Sequence, residues 1–192
     1  MTWGKVKKGS SSVISSTNVS FTADRFNRTN SAVFFNYGHY QLSSDIYFNG
    51  DFSISAWVRF DNILPWQRVI DFGNGAPSDN VIFTITDTAN IICVVKNVAS
   101  DQDCQGSIKI NNGVWYHIVC VLRGDKINIY IDGVLDVFCN SSIPTKIVRQ
   151  SNFIGKSNFP WDNLFLGAID ELQIYNKSLT DQQISKLFNN FY

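Results

Sequence analysis

Side chains that suit a pleated sheet greatly outnumber those that suit a helix in this chain. Ile and Val together number 37, whereas Leu and Ala together number 16, among 192 residues. β-branched side chains pack well in strands, while Leu and Ala favour helices. Of the 16 acidic residues, 15 are Asp, a residue that gathers in turns and loops. This balance predicts an all-β protein with many short strands and polar loops.

Charge and length narrow the class of function. The 16 Lys and Arg residues balance the 16 Asp and Glu residues, so no basic surplus exists to displace counterions from nucleic acid. No apolar run approaches the roughly 18–20 residues that span a bilayer, so we expect no membrane insertion.

At about 150 residues per domain, the length indicates one domain. Residues 1–18 are rich in Ser and Lys and are expected to be a flexible lead-in to a domain at 19–192.

The alternation of apolar and polar residues locates the strands. Every second residue of 52–60 is apolar, which indicates a half-buried strand. Asp132-Gly133 separates two such runs and predicts a type I′ hairpin turn. Near the C-terminus, Thr180 and Gln183 have the spacing of a helix capping box. We therefore predict a two-sheet antiparallel jelly-roll sandwich with one short C-terminal helix.

The cysteine count favours disulfides. Cys93, Cys104, Cys120 and Cys139 have no CxxC spacing, so a zinc site is not expected. We favour a Cys93–Cys104 bond, because these residues flank a polar stretch typical of a hairpin loop, and Cys120–Cys139 then follows by elimination. Four cysteines allow three pairings, and four reduced core thiols are the alternative.

Glycosylation sequons agree with an oxidising, extracellular location. The sequon asparagines are Asn18, Asn27, Asn140 and Asn176. The start of the chain has no apolar segment of the kind found in signal peptides. We therefore expect this chain to be a piece of a longer secreted or cell-surface protein.

Eight short segments, taken in order, form a series that extends over residues 20–190. They are 24–26 (DRF), 31–35 (SAVFF), 52–58 (FSISAWV), 71–80 (DFGNGAPSDN), 115–119 (WYHIV), 126–134 (KINIYIDGV), 153–157 (FIGKS) and 167–179 (GAIDELQIYNKSL). Their order and spacing resemble a laminin-G-like, concanavalin-A-like jelly roll of the pentraxin-related type. The resemblance implies a non-catalytic module of extracellular or surface proteins that binds a glycan or a protein, sometimes with calcium.

Catalysis is not expected. Glycoside hydrolases built on this sandwich resemble one another in an E-x-D-x-x-E strand, since the reaction uses two carboxylates. Glu171 is the only glutamate, so this motif cannot form. A hydrolase with a Ser or Cys nucleophile would need a base, and His39 and His117 are the only histidines. His117 lies between apolar neighbours, at a position that is structural in the family it resembles.

A structural calcium site is one expectation of the resemblance. Alternation places Asp170 on the same face as Leu172 and Ile174, so its carboxylate would point inward. A buried carboxylate needs a cation or several N–H donors. In related jelly rolls this Asp can meet an N-terminal loop at a calcium ion, which makes Asp24 the expected partner. Backbone N–H donors to Asp170 are the alternative.

A loop-borne site is the second expectation of the resemblance. Asp79-Asn80 match a calcium-binding Asp-Asn pair of pentraxins, and Asn163 matches a Gln ligand there. The acidic cluster that completes the pentraxin site falls at about 156–158, which has no carboxylate. The full double-calcium site is therefore not expected, because calcium affinity rises with the number of charged ligands.

Two loop tryptophans complete the predicted site. Trp66 and Trp161 lie among Pro, Asn and Asp, and an exposed indole can stack on a sugar ring while neighbouring polar groups bind its hydroxyls. Packing of both indoles under their own loops is the alternative. In the pentraxin-like arrangement the loops before residues 81 and 164 meet, so we predict one binding rim. The predicted ligand-binding residues are Asp79, Asn80, Trp161, Asp162, Asn163 and Trp66.

The sequence therefore predicts a module that binds carbohydrate or glycoprotein, with calcium as the only expected cofactor. The alternative is a structural or assembly module that binds another protein through a broad apolar patch on one sheet face. Trp57, on the outward side of its strand, is a candidate for such a patch. A homo-oligomer or a larger assembly is compatible with both functions.

Overall fold

The strands follow one another with short turns, as the alternation of the sequence predicts. The structure is a computed structural model that describes residues 12–97 and 100–189. The elements are β1 (Val13–Thr22), β2 (Ala32–Leu42), β3 (Phe52–Phe60), β4 (Arg68–Gly73), β5 (Val81–Ile85), β6 (Asn90–Asn97), β7 (Ser100–Lys109), β8 (Trp115–Arg123), β9 (Lys126–Ile131), β10 (Val134–Asn140), β11 (Ser151–Ile154), β12 (Phe165–Tyr175) and α1 (Asp181–Asn189).

The predicted lead-in is wrong in part. Residues 1–11 lie outside the described residues, but 13–18 form the first half of β1. This strand is exposed along most of its length, because it pairs only with β2. The polar composition that suggested a flexible lead-in is therefore that of a solvated edge strand.

The sheet order makes a two-layer sandwich. Antiparallel pairs run in the order β10-β9-β8-β3-β12-β2-β11-β4-β5-β6-β7, with β1 on β2. Strand β2 pairs with β12 through residues 33–38 and with β11 through 40–42, so it belongs to both layers. The first and last strands of this order, β10 and β7, meet where the Ser107 backbone N–H donates to the Asp136 carboxylate at 2.9 Å. The predicted all-β jelly-roll sandwich is confirmed.

A bend in β1 and β2 lets the chain pass from one layer to the other. Asn18 and Tyr37 have φ angles of 50° and 49°, in the left-handed region. A Cβ atom on Gly38 would lie 2.4 Å from the Asn18 carbonyl oxygen, so only glycine fits at this close approach.

Strand β3 is covered on both faces, whereas its alternation predicts one exposed face. The apolar face is fully buried in the core, as predicted. On the other face Ser53 and Ser55 are buried and Trp57 is only 8% exposed. Arg25 lies over the Trp57 ring at 4.3 Å from its centroid, and Phe188 of α1 stacks on it at 5.7 Å.

The single helix forms as predicted. The Thr180 N–H donates to Gln183 Oε1 at 2.9 Å, and the Gln183 N–H donates to Thr180 Oγ1 at 3.3 Å, which is a capping box. Ile184 is buried against Val119 and Val121, which lie on the face of β8 that points away from the core. Within the described residues, no helix has the length and apolar character needed to cross a membrane.

The predicted disulfide pairing is wrong. Cys93 and Cys104 are opposite one another on β6 and β7, but neither bonds the other. Cys93 bonds Cys120 and Cys104 bonds Cys139, with Cα separations of 6.4 and 5.5 Å. Directly opposed side chains point to the same face of a sheet, here the interior, where β8 and β10 of the other layer supply the partner sulfurs. Both bonds therefore link one layer to the other.

We expect peptide mapping under non-reducing conditions to recover these two cross-layer pairs. The bonds close segments of 27 and 35 residues, and chain entropy assigns each about 3.5 kcal/mol of stabilisation. The Cys93→Ala/Cys120→Ala and Cys104→Ala/Cys139→Ala double variants should each lower the free energy of unfolding by an amount of that order. A peptide that contains Cys93 bonded to Cys104 would contradict the assignment.

Candidate functional site

The loops that carry Trp66 and Trp161 lie side by side at one end of the sandwich. Asn163 Nδ2 donates to the Pro65 carbonyl at 2.8 Å. Gln67 Nε2 donates to the Leu164 carbonyl at 3.0 Å. Residues 61–67 connect β3 to β4, and residues 155–164 connect β11 to β12. These two loops are therefore joined at the points where β4 and β12 begin.

Trp161 is the most exposed of the large apolar side chains that the structure describes. Its side chain is 77% exposed, and that of Trp66 is 39% exposed. The Trp161 ring rests edge-on against Phe159 at a centroid distance of 5.9 Å. Phe159 in turn packs on Ile82 of β5 and on Ile92 and Val94 of β6, on the side of these strands that points away from the core. Trp161 is thus supported from below and open to solvent above, and it does not pack under its own loop.

Asp162 holds its loop to the sheet. Its carboxylate accepts from Arg68 Nη2 at 2.5 Å and from Ser157 Oγ at 2.7 Å. Arg68 also donates to Thr84 Oγ1 at 2.9 Å and to Ser157 Oγ at 3.2 Å. Burial lowers the pKa of Arg68, and Asp162 and Asp71 partly offset that effect. The guanidinium remains charged, as arginine does throughout proteins, so Asp162 is a partner in a buried ion pair.

Asp71 joins the loop before β5, which carries Asp79 and Asn80, to the loop before β12, which carries Trp161. This carboxylate has no solvent exposure and accepts from Asn80 Nδ2 at 2.7 Å. It also accepts from the Asn158 backbone N–H and from Asn158 Nδ2, both at 2.9 Å. Ser157 Oγ lies 3.3 Å from it and directs its single proton to the closer Asp162 carboxylate. The loops before residues 81 and 164 therefore meet, as expected, but they do so through Asp71, a strand residue that was not among the predicted ligands.

These contacts give the predicted polar ligands a different role. Asn80 is fully buried, and Asn80, Asp162 and Asn163 are engaged in hydrogen bonds within the protein. Asp79 is half-buried, and its carbonyl accepts from Arg149 Nε at 2.9 Å. We therefore correct the prediction for Asn80, Asp162 and Asn163, which fix the loops. Of the six predicted ligand-binding residues, only Trp66 and Trp161 are exposed, and the role of the Asp79 carboxylate stays a prediction.

Comparison with known proteins identifies the family. Residues 34–185 match a laminin G family model described as the concanavalin A-like lectin/glucanases superfamily. The chain belongs to this superfamily. No curated protein sequence gives a match. The concanavalin A-like domain thus extends over most of the chain, and the predicted laminin-G-like resemblance is confirmed.

Solved structures share this fold at low sequence identity. Domain 4 of AbnA, an extracellular arabinanase from Geobacillus stearothermophilus, in complex with arabinotriose, has a TM-score of 0.72 and 21% identity, covering 90% of this chain and 82% of that chain. A heptameric SAP-like pentraxin from Limulus polyphemus has a TM-score of 0.61 and 13% identity, covering 89% and 81%. The Ruminococcus gnavus IT-sialidase CBM40, bound to α2,3-sialyllactose, has a TM-score of 0.63 and 12% identity, covering 73% and 83%.

The residues predicted to bind calcium do not fit that ion in this concanavalin A-like domain. Asp24 accepts from Arg28 Nε at 2.6 Å and from the Phe26 and Arg28 backbone N–H groups. Asp170 forms an ion pair with Arg25 Nη1 at 3.3 Å. No group of three or more His, Cys, Asp or Glu side chains in the described part of the chain could hold a metal. Arginines supply the positive charge at both carboxylates, so the calcium prediction gains no support.

The pKa values of these two carboxyl groups shift in opposite directions. Burial raises the pKa of Asp24, but the hydrogen bonds from Arg28 and Phe26 outweigh it, so the pKa lies below its usual value. For Asp170, burial and the neighbouring Glu171 raise the pKa to about 6, against the attraction of Arg25. Protonation of Asp170 is therefore easier in the folded domain than in the unfolded chain.

His117 is a structural side chain. It is 1% exposed, and its Nε2 atom shares a hydrogen bond of 2.9 Å with Ser55 Oγ. Its ring lies 5.3 Å from that of Trp57 and 6.1 Å from that of Phe188. Burial and the charge of Arg25 lower its pKa to about 4. The imidazole is therefore neutral at pH 7 and buried beneath α1.

We expect His117 to make the stability of the domain depend on pH between 7 and 4. Its folded-state pKa of about 4 lies below the unfolded value of 6.5, so its contribution is complete above pH 6.5 and is lost as the pH falls towards 4. The loss amounts to about 3 kcal/mol. The free energy of unfolding, measured in urea at pH 7 and at pH 4, should fall by about 3 kcal/mol more in the wild type than in His117→Gln, which keeps an acceptor for Ser55.

The comparison isolates His117 because Asp170, whose raised pKa acts in the opposite direction, is present in both proteins. His39→Gln is the comparison variant. Burial and the charge of Lys156 lower the pKa of His39 too, but by less than that of His117, so this variant should retain most of the pH dependence. Equal pH dependence in the wild type and in His117→Gln would show that His117 is not the buried neutral group described here.

Proposed function

We propose that this chain is a non-catalytic carbohydrate-binding module whose ligand contacts the exposed face of Trp161. The observation that carries the proposal is a large indole that is 77% exposed on a loop fixed by buried hydrogen bonds. An exposed aromatic side chain loses apolar contact with water when it stacks on the face of a sugar ring. Because the loop is already ordered, little conformational entropy is lost on binding.

Proteins with similar folds support the choice of ligand class. The AbnA domain was solved with arabinotriose and the CBM40 domain with sialyllactose. Another similar structure is a putative carbohydrate-binding protein from Bacteroides ovatus, with a TM-score of 0.61 and 19% identity. Three different carbohydrate-related proteins on this fold make a sugar the ligand that we favour.

The carboxylates favour binding over hydrolysis. Glycoside hydrolysis needs two carboxyl groups on either side of an accessible glycosidic bond. Asp71, Asp162 and Asp170 are almost fully buried, and each is held by donors within the domain. Glu171, the only glutamate, forms an ion pair with Arg25 at 3.4 Å. These carboxylates are used to hold the fold together.

Two disulfides support the proposed location of the module. Both cysteine pairs are bonded, and such bonds persist in oxidising environments such as the extracellular space. We therefore propose a secreted or cell-surface parent protein. The alternative function as an assembly module is less well supported, because Trp57, the residue expected in an exposed apolar patch, lies beneath Arg25 and Phe188.

A glycan array with and without calcium identifies the ligand, and Trp161→Ala tests the site. We expect this variant to lose roughly 1–3 kcal/mol of binding free energy, the scale of burying a large aromatic side chain. The melting temperature should hardly change, because the side chain is mostly in solvent. Calorimetric titration with the best glycan of the array measures the loss.

Phe138→Ala is the matched control. Phe138 is an aromatic residue of β10 that is 61% exposed, and its removal should leave glycan affinity unchanged. Normal binding by Trp161→Ala, or an equal loss in both variants, would remove the site assignment. A blank array, with a Trp161-dependent protein partner in a pull-down, would favour the assembly function.

A further inference from the structure

Trp66 shares the exposed end of the sandwich with Trp161. Its backbone has a φ angle of 64°, a region that non-glycine residues rarely adopt. The Trp66 N–H donates to the Ile85 carbonyl at 2.9 Å, which holds this conformation. Backbone strain of this kind persists where the surroundings enforce it and often accompanies a functional side chain. Trp66 is 39% exposed.

Hydrogen bonds fix the two indoles relative to one another. The Asn163–Pro65 and Gln67–Leu164 bonds join the loops within three residues of each tryptophan. The Arg68–Asp162 ion pair connects the first residue of β4 to the residue after Trp161. Two exposed indoles on joined, ordered loops can contact neighbouring units of one chain.

Ion pairs occupy Arg68, Asp71 and Asp162 at the base of the two loops, where their side chains are 7%, 0% and 6% exposed. Lys156, in the loop of Trp161, lies over the Phe153 ring, 4.6 Å from its centroid. The buried ion pairs hold the loops, and the exposed indoles offer flat apolar faces on which sugar rings can stack.

We infer that the Trp66 and Trp161 indoles bind one oligosaccharide together, each stacking on a different sugar unit. The inference rests on the proposed function and deepens it by naming an oligosaccharide as the ligand. A monosaccharide reaches one indole at a time, whereas a longer chain reaches both, and the second contact is then intramolecular. Affinity should therefore increase sharply at the chain length that first reaches both rings.

The test is a chain-length series measured by calorimetric titration. The probes are arabinose, xylose and glucose and their linear oligomers of two to five units. We expect the best oligomer to bind the wild type at least about tenfold more tightly than its monosaccharide. Both Trp66→Ala and Trp161→Ala should remove this increase, and Phe138→Ala should retain it.

The outcomes separate this inference from the proposed function. Equal affinity for monomer and oligomer, or a normal increase in Trp66→Ala, overturns the two-indole surface but leaves a Trp161-dependent carbohydrate site. If no probe and no glycan on the array binds, both the inference and the proposed function are wrong.

Discussion

The buried carboxylate of Asp71 is the contact on which the candidate site depends. It lies at the end of β4 and accepts hydrogen bonds from the loop before β5 and from the loop before β12. A buried anion is costly unless donors surround it, and here amide donors do so, with Arg68 Nε 3.8 Å away. Arg68 in turn binds Asp162, so the contacts that begin at Asp71 also fix the residue next to Trp161.

Cross-layer bonds give the loops a rigid frame. The two disulfides link β6 to β8 and β7 to β10, so one half of the sandwich cannot separate from the other. At the opposite side, β2 passes from one layer to the next at Gly38. The strands that carry the loops are thereby held at both edges, and a rigid scaffold with ordered loops is an arrangement suited to binding.

Local signals in the sequence predicted most of the fold and one part of the site. Alternation located the strands, and the Thr180–Gln183 spacing located the helix, because these patterns act over a few residues. Disulfide pairing failed because it depends on which strands face each other across the core. Asn80 and Asp162 were taken for ligands because exposed and buried polar side chains look alike in sequence. Arg68 and Asp71 were missed, although two charges within a buried apolar strand require partners and could have signalled them.

The most direct test of the account is amide hydrogen exchange in Asp71→Asn, read by mass spectrometry. An amide at this position keeps only one acceptor oxygen and turns an N–H group towards Asn80 or Asn158, which are themselves donors. It also removes the negative charge that both residues bind, so the anchor of both loops should weaken. The account predicts faster exchange at 74–80 and at 156–163 together, with β8 and β9 unchanged, while Asp79→Asn leaves 156–163 as in the wild type. Unchanged exchange at 156–163 in Asp71→Asn would contradict the central role of this carboxylate.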